Sequence, residues 1–268
     1  MTRHENSAAL RVLQLTDPHL MADPSGALLG VNTRDSLDAV IASVLAEELA
    51  PDLILATGDL AQDGSEQAYR VFRDKLQVFG CPTLWLAGNH DNLENLAKVI
   101  AGSDAASRQH LLGGWQFIQL NSAVPGQVHG HLDEQEIAFL ESALSNFPDR
   151  PALVTLHHHP VDIGSNWMAD IGLQNRDAFW RVIDRFPQVK VVLWGHIHQE
   201  LDAVRNNVRL LATPSTCIQF TTGSPTFSVE AKAPGYRWLM LQGNGDVSTV
   251  VGRADDFRYE LDTTSSGY

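Results

Sequence analysis

The sequence predicts an α/β fold with mixed sheets, and three observations carry that prediction. Short apolar runs of strand length recur between residues 10 and 194, several of them closed by a glycine. Amphipathic segments at helical spacing separate them, which favours parallel pairing through right-handed crossovers. Past residue 198 the runs are short and split by turns, with Asn244-Gly245 a strong hairpin signal.

In order, residues 10–16 form the first strand. Residues 33–49 form a helix, because Leu37, Val40, Ile41, Val44, Leu45 and Leu49 recur on one face. Residues 52–57 are a strand closed by Gly58, and residues 65–79 a helix that Ser65 can cap. Residues 82–87 are a strand closed by Gly88, and residues 116–121 another. A helix over 133–145 with Asp133 as N-cap, a strand over 152–156, a helix over 177–186 and a buried strand over 189–194 follow. Residues 209–212, 236–242 and 247–251 read as antiparallel β added to a second sheet, an extension covering about residues 199–252. The polar stretch 221–235 reads as an exposed loop, and a polar tail begins at Asp255. No linker, repeat or low-complexity segment interrupts the chain, so one domain over residues 1–268 is expected.

A composition of 44% hydrophobic and 19% charged residues is that of a globular protein. The formal net charge of −13, with no basic stripe, argues against nucleic-acid partners and anionic membrane surfaces. The start Met1-Thr2-Arg3-His4-Glu5-Asn6 lacks the pattern of a signal peptide, and no apolar run approaches a membrane span. Cys81 and Cys217 cannot build a disulfide framework. A cytoplasmic protein is expected. No heptad decides the oligomeric state, and a homo-oligomer remains compatible with the chain.

Polar clusters follow five of the apolar runs: Asp17-Pro18-His19, Gly58-Asp59, Gly88-Asn89-His90-Asp91, His157-His158-His159 and Gly195-His196-Ile197-His198. Ligands bind beyond the carboxyl ends of strands in α/β sheets, so these side chains can converge. Asp17 and His19 are two apart, as are His196 and His198, and on extended backbone each pair faces one side. Carboxylates, imidazoles and the neutral oxygen of Asn89 suit a pair of Mn, Fe, Zn or Co ions better than Ca or Mg. Asp59 can bridge such a pair, one metal on each oxygen. Two metals about 3.5–4 Å apart turn a bridging water into hydroxide near neutral pH, which suits in-line attack on a phosphate ester. His90 directly follows a ligand, so its side chain is expected to face substrate and protonate the leaving oxygen. One such cluster alone reads as a turn or a helix cap; five in order do not.

In the histidine triplet, His157 directly ends its strand and is the preferred ligand, with His158 and His159 as alternatives. Other polar residues are set apart. His129-Gly130-His131 reads as loop, Asp63 and Glu66 as capping or surface acids, and His4 and His110 have no partner pattern.

With these motifs in place, the chain resembles the calcineurin-like metallophosphoesterases, whose pattern is D-x-H, G-D, G-N-H-[DE], a strand-end histidine, then G-H-x-H. The match is complete and spans about residues 10–200. The resemblance implies a four-layer αββα sandwich and two metal ions per chain, with Fe and Mn first and Zn or Co as alternatives. One ion would be held by Asp17, His19, Asp59 and His198, the other by Asp59, Asn89, His157 and His196. Substrate would lie against His19, Asp59, Asn89, His90 and His198, with His90 catalytic. Within the family the chain is most similar to the bacterial class III cyclic-nucleotide phosphodiesterases, through Gly58-Asp59-Leu60-Ala61-Gln62-Asp63, His157-His158-His159-Pro160-Val161, and residues 213–217 and 233–238. Asp162 departs from that group, where proline is expected. The resemblance implies hydrolysis of 3′,5′-cyclic AMP to 5′-AMP, with residues 164–172, carrying Trp167 and Met168, either covering the site and contacting the base or, for Trp167, simply packing the loop. The alternatives are a broader phosphodiesterase or phosphomonoesterase, acting on glycerophosphodiesters or 2′,3′-cyclic nucleotides, and a metal-binding scaffold without activity.

Overall fold

Apolar residues fill both faces of the central strands, and that dictates layers on either side of each sheet. The computed structural model describes residues 9–265 and residue 267; His4 and the N-terminal segment read above lie outside the described residues. The longer strands run β1 (Leu10–Leu15), β2 (Leu53–Thr57), β3 (Thr83–Leu86), β4 (Gln109–Leu112), β5 (Trp115–Gln119) and β6 (Ala152–Thr155). They continue as β7 (Val189–Trp194), β8 (Leu201–Arg205), β9 (Val208–Ala212), β10 (Gly235–Leu241) and β11 (Val247–Arg253). The helices are α1 (Thr33–Ala46), α2 (Glu66–Leu76), α3 (Leu93–Ile100), α4 (Glu134–Asn146) and α5 (Arg176–Ile183).

One sheet has the order β11-β10-β1-β2-β3 and the other β8-β9-β7-β6-β5-β4. The alternation of side chains along each strand sorts the core into three sets. Val12, Leu53, Leu55, Leu153, Val191 and Leu193 meet between the sheets. Leu13, Leu15, Ile54 and Ala56 turn outward onto residues of α1, α2 and α3. Val154, Val192 and Trp194 turn outward onto α4 and α5. The result is the expected α/β architecture, helices–sheet–sheet–helices.

The inner strands pair in parallel, β1 with β2, β2 with β3, β5 with β6, β6 with β7 and β7 with β9. Their carboxyl ends therefore lie along one edge, and each is followed by one of the polar clusters or, after β5 and β9, by a supporting loop. Helix starts agree with the sequence reading: the Ser65 side chain accepts from the Ala68 N–H, and Asp133 accepts from the Glu136 N–H.

The C-terminal third departs from the reading. It was expected as one antiparallel extension of the second sheet, but it divides. The hairpin β10–β11 joins the first sheet beside β1, and β9 enters the second sheet parallel to β7. Sequence pattern specified β9, β10 and β11 but not their partners. What joins the two halves is a buried polar chain between the sheets. Arg237, only 1% exposed, donates from Nε to Thr213 Oγ1 (3.0 Å) and from its terminal nitrogen to the Ala212 carbonyl (2.8 Å). Thr213 in turn donates to Gln14 on β1. Burial pulls the Arg237 guanidinium down to about 10. The stretch 221–235 is also less irregular than expected, because Val229–Glu230 pairs with Gln219–Phe220.

Candidate metal centre

The loops after β1, β2, β3, β6 and β7 bring Asp17, His19, Asp59, Asn89, His157, His196 and His198 to one edge, and the ring nitrogens and carboxylate oxygens among them form overlapping groups. Asp17, His19 and His198 place one ligand atom each within 4.8 Å of one another, as do Asp17, Asp59 and His157. Nε2 of His198 lies 3.3 Å from Asp17 Oδ1, and Nε2 of His157 lies 3.2 Å from Asp59 Oδ2. Nε2 of His19 is 3.2 Å from Nε2 of His198 and 3.9 Å from Asp59 Oδ2.

Close approach of these groups needs special backbone. Asp17, His19, Asp59, His196 and His198 all have φ between 47° and 66°, a left-handed conformation that costs of order 1–3 kcal/mol each and persists where function over-determines it. Two glycines give way to them. A Cβ on Gly58 would sit 2.3 Å from His157 Nδ1, and one on Gly88 would sit 2.2 Å from Asp59 Oδ1.

The two oxygens of Asp59 have different neighbours. Its Oδ1 accepts the backbone N–H of His90 at 2.8 Å. Oδ2 lies 3.2 Å from His157 Nε2 and 3.9 Å from His19 Nε2.

Carbonyl partners fix the tautomer of each inward imidazole. The Nδ1–H of His19 donates to Gln62 Oε1 (2.6 Å), that of His157 to the Thr57 carbonyl (2.8 Å), and that of His198 to the Ile218 carbonyl (3.0 Å). A carbonyl only accepts, so in these three Nδ1 carries a proton and Nε2 is the nitrogen that faces the centre. His196 is reversed: Nε2 donates to the Ile171 carbonyl at 3.0 Å, leaving Nδ1. His158, whose ring lies beside those of His157 and His196, uses both nitrogens elsewhere, accepting from Ser122 Oγ (2.8 Å) and donating to the Val128 carbonyl (3.1 Å). His159 packs its ring on His196 with centroids 5.7 Å apart.

Protonation follows the same pattern. Burial opposes charge on Asp17 and Asp59, yet the neighbouring imidazoles hold both carboxyls below the usual range. Burial brings the His19 imidazole down to about 3 and keeps His196 well below its ordinary value. His157 is pushed up to about 9, because Asp59 and Asp17 outweigh its burial. The pocket thus holds two carboxylates that demand positive charge beside largely neutral imidazoles, the donor state a metal requires. Two atoms test the fit directly. Asn89 Oδ1 and His157 Nε2 are buried with no hydrogen-bond partner among the described residues, His157 Nε2 being near Asp59 but out of line. Buried polar atoms are rarely left so, and a cation would satisfy both.

Residues 10–200 match the calcineurin-like phosphoesterase family. The chain belongs to that family. Similar proteins include the 3′,5′-cyclic adenosine monophosphate phosphodiesterase CpdA of Pseudomonas aeruginosa, 43% identical and aligned over 100% of both chains. That of Escherichia coli is 44% identical over 97% of this chain and 96% of the other. Among solved structures, a dimetal phosphatase from Danio rerio superposes with a TM-score of 0.65 over 91% of this chain and 99% of that one; at 13% identity it shows the fold alone. Calcineurin-like phosphoesterases use a dinuclear metal centre, and the His/Asp clusters here are of that kind.

Several supports of this phosphoesterase site carried no assigned role in the sequence. Gln62 stood within a quoted segment, but its contact with His19 depends on the Leu20–Ala61 pairing that folds the two loops together. Asp91 accepts the N–H groups of Gly88 (2.8 Å), Ala61 (3.0 Å) and Leu60 (3.1 Å), tying the two glycine turns. Burial and the nearby Asp59 raise its carboxyl to about 7. Ser215 donates to the Asp17 carbonyl at 2.7 Å and accepts from the Cys217 N–H. The residues set apart behave as read: Asp63 accepts from the Ala22 and Ser65 N–H groups, Glu66 pairs with Arg70 at the surface, and His129 and His131 lie in a loop.

Gln62→Leu is expected to lower metal affinity or turnover about 10–100-fold, the usual cost of losing a partner that orients a ligand imidazole. Metal titration of the apoprotein with turnover in parallel checks this. Wild-type affinity and rate together would mean that His19 needs no such orientation.

Proposed function

We propose that this protein hydrolyses 3′,5′-cyclic AMP to 5′-AMP. The observation that carries the reading is the full-length similarity to cyclic AMP phosphodiesterases, on a chain whose seven donor residues meet at one edge. Asp17, His19, Asp59 and His198 would hold one ion, and Asp59, Asn89, His157 and His196 the other, with Fe and Mn first among metals that suit mixed N/O donors. Bound there, the pair supplies a nucleophile from water at neutral pH and neutralises charge on the phosphoryl oxygens.

The chain's own residues do the rest. Asp59 and Asp17, ionised and fixed by backbone N–H groups, set the negative charge that retains the cations. The imidazoles whose outer nitrogen is committed to a carbonyl point the other ring nitrogen inward, and His157, raised to about 9 beside Asp59 and Asp17, must release its proton for a cation to bind. A water oxygen bonds to phosphorus and loses a proton, the P–O3′ bond breaks, and His90 gives O3′ a proton and is replenished by the one the water released, leaving the 5′-ester intact. Substrate lies against His19, Asp59, Asn89, His90 and His198. With net charge −13 and no apolar helix of membrane-spanning length among the described residues, we place the protein in the cytoplasm, acting on a small nucleotide rather than on nucleic acid or at a membrane. It works as a single domain, alone or as a homo-oligomer.

Incubation of metal-loaded protein with cyclic AMP, cyclic GMP, 2′,3′-cyclic AMP and a glycerophosphodiester tests this, with product analysis. The expected result is 5′-AMP from cyclic AMP as the preferred reaction. Cyclic AMP turned over no faster than the glycerophosphodiester would replace this reading with that of a broad phosphodiesterase.

A further inference from the structure

A cleft of about 210 Å³ opens beside the candidate metal ligands, lined by the polar Asn89, His90 and His196, by the aromatic Trp167, Phe220 and Phe227, and by Gly267 of the tail. Sites that enclose a whole drug-sized ligand run to about 300–1,000 Å³. This one therefore suits a single ring system of a molecule whose phosphate lies toward the polar residues. The aromatic residues are a packed cluster: Trp167 meets Phe220 and Phe227 edge to face, with centroids 5.1 and 5.3 Å away. Phe220 is committed inward, 1% exposed and stacked on His198 at 4.2 Å. Trp167 and Phe227 are half-buried.

Trp167 also has a donor with nothing to bond. Its indole Nε1 is buried and has no hydrogen-bond partner among the described residues, a state that costs free energy unless another arrangement satisfies it. The loop that carries it is fixed to the site. The Ile171 carbonyl accepts from His196, the Leu173 N–H donates to the His159 carbonyl (3.0 Å), and Ser165 Oγ accepts from the Gly223 N–H (3.1 Å).

We propose that Trp167 is a specificity-determining residue: with Phe227 it forms the subsite that holds the nucleobase of a nucleoside 3′,5′-cyclic phosphate. This rests on the cyclic-nucleotide reading above and adds the element that separates such substrates from aliphatic diesters. A flat ring gains stacking there, and a glycerol headgroup does not. Because the same loop hydrogen-bonds His196, base binding is transmitted to a residue of the metal set.

The test isolates the base. Metal-loaded wild type, Trp167→Leu (apolar bulk kept) and Trp167→Phe (ring kept) are compared by competitive inhibition of cyclic AMP hydrolysis. The inhibitors are 5′-AMP and ribose 5-phosphate, which has the same sugar phosphate and no base. The wild type should prefer 5′-AMP. In Trp167→Leu that preference should fall at least about fivefold, the lower end of what a stacked base supplies, and Trp167→Phe should keep most of it. A preference unchanged within twofold in Trp167→Leu overturns the proposal, including the case in which both inhibitors weaken equally. Calorimetric titration of the two ligands gives the same ratio without turnover. A wild type that leaves cyclic AMP intact would refute the functional reading instead, and the calorimetric ratios would still judge the subsite.

Discussion

Asp59→Asn is expected to lower cyclic AMP hydrolysis more than about 100-fold and to leave fewer than two metals per chain. Loss of a mere orienting partner costs about 10–100-fold, and Asp59 sits nearer the chemistry than any such partner. Its Oδ2 faces Nε2 of both His157 and His19, at 3.2 and 3.9 Å. The amide keeps the shape, and its oxygen can still accept the His90 N–H that Oδ1 accepts now. The nitrogen then points where Oδ2 was, presenting N–H groups to two inward lone pairs and removing the charge. Metal analysis after reconstitution, alongside initial rates, separates the possible results. Two metals per chain with a rate within tenfold of wild type would remove Asp59 as the bridging ligand.

The site residues were legible because their chemistry is local to five short motifs, whereas their geometry is not. Spacing alone put Asp17 with His19 and His196 with His198, but it assumed extended backbone, and all four adopt left-handed φ. His157 was favoured over its neighbours by position. In the structure both ring nitrogens of His158 are served by Ser122 and Val128, whereas His157 Nε2 and His159 Nδ1 have no hydrogen-bond partner among the described residues, and His157 Nε2 lies 3.2 Å from Asp59 Oδ2.

Other features needed the third dimension. Residues 213–217 and 233–238 marked the chain as similar to cyclic-nucleotide phosphodiesterases, yet they act as supports. Ser215 holds the Asp17 carbonyl, and Arg237 ties β9 and the β10–β11 hairpin together through Thr213. The exposed edge strand β8 and the eight-residue helix α3 were not read at all. An edge strand shows no apolar run, and two turns of helix give periodicity little to work with. Strand partnership was the largest gap, because a hairpin signal names the two strands it joins and not the sheet they enter.

His90→Ala is expected to slow cyclic AMP hydrolysis about 10²–10⁴-fold, the range for losing a positioned general acid, with metal content unchanged. The second half of that expectation comes from the backbone. What His90 gives the metal set is its main-chain N–H, bonded to Asp59 Oδ1 at 2.8 Å, and alanine keeps that bond. The side chain lines the cleft that Trp167 also lines, its ring 5.0 Å from that of His19 and nearly perpendicular to it, with a ring nitrogen within 4.8 Å of donor atoms of His19 and Asp59. An acid matters in proportion to how badly the leaving oxygen needs a proton. The 3′ alkoxide of cyclic AMP needs one; the nitrophenolate of a p-nitrophenyl diester does not. The deficit of His90→Ala should therefore shrink at least about tenfold on the p-nitrophenyl substrate. An equal deficit on both would mean that His90 positions the phosphate rather than protonates the leaving group, and loss of metal in the variant would place its ring among the ligands.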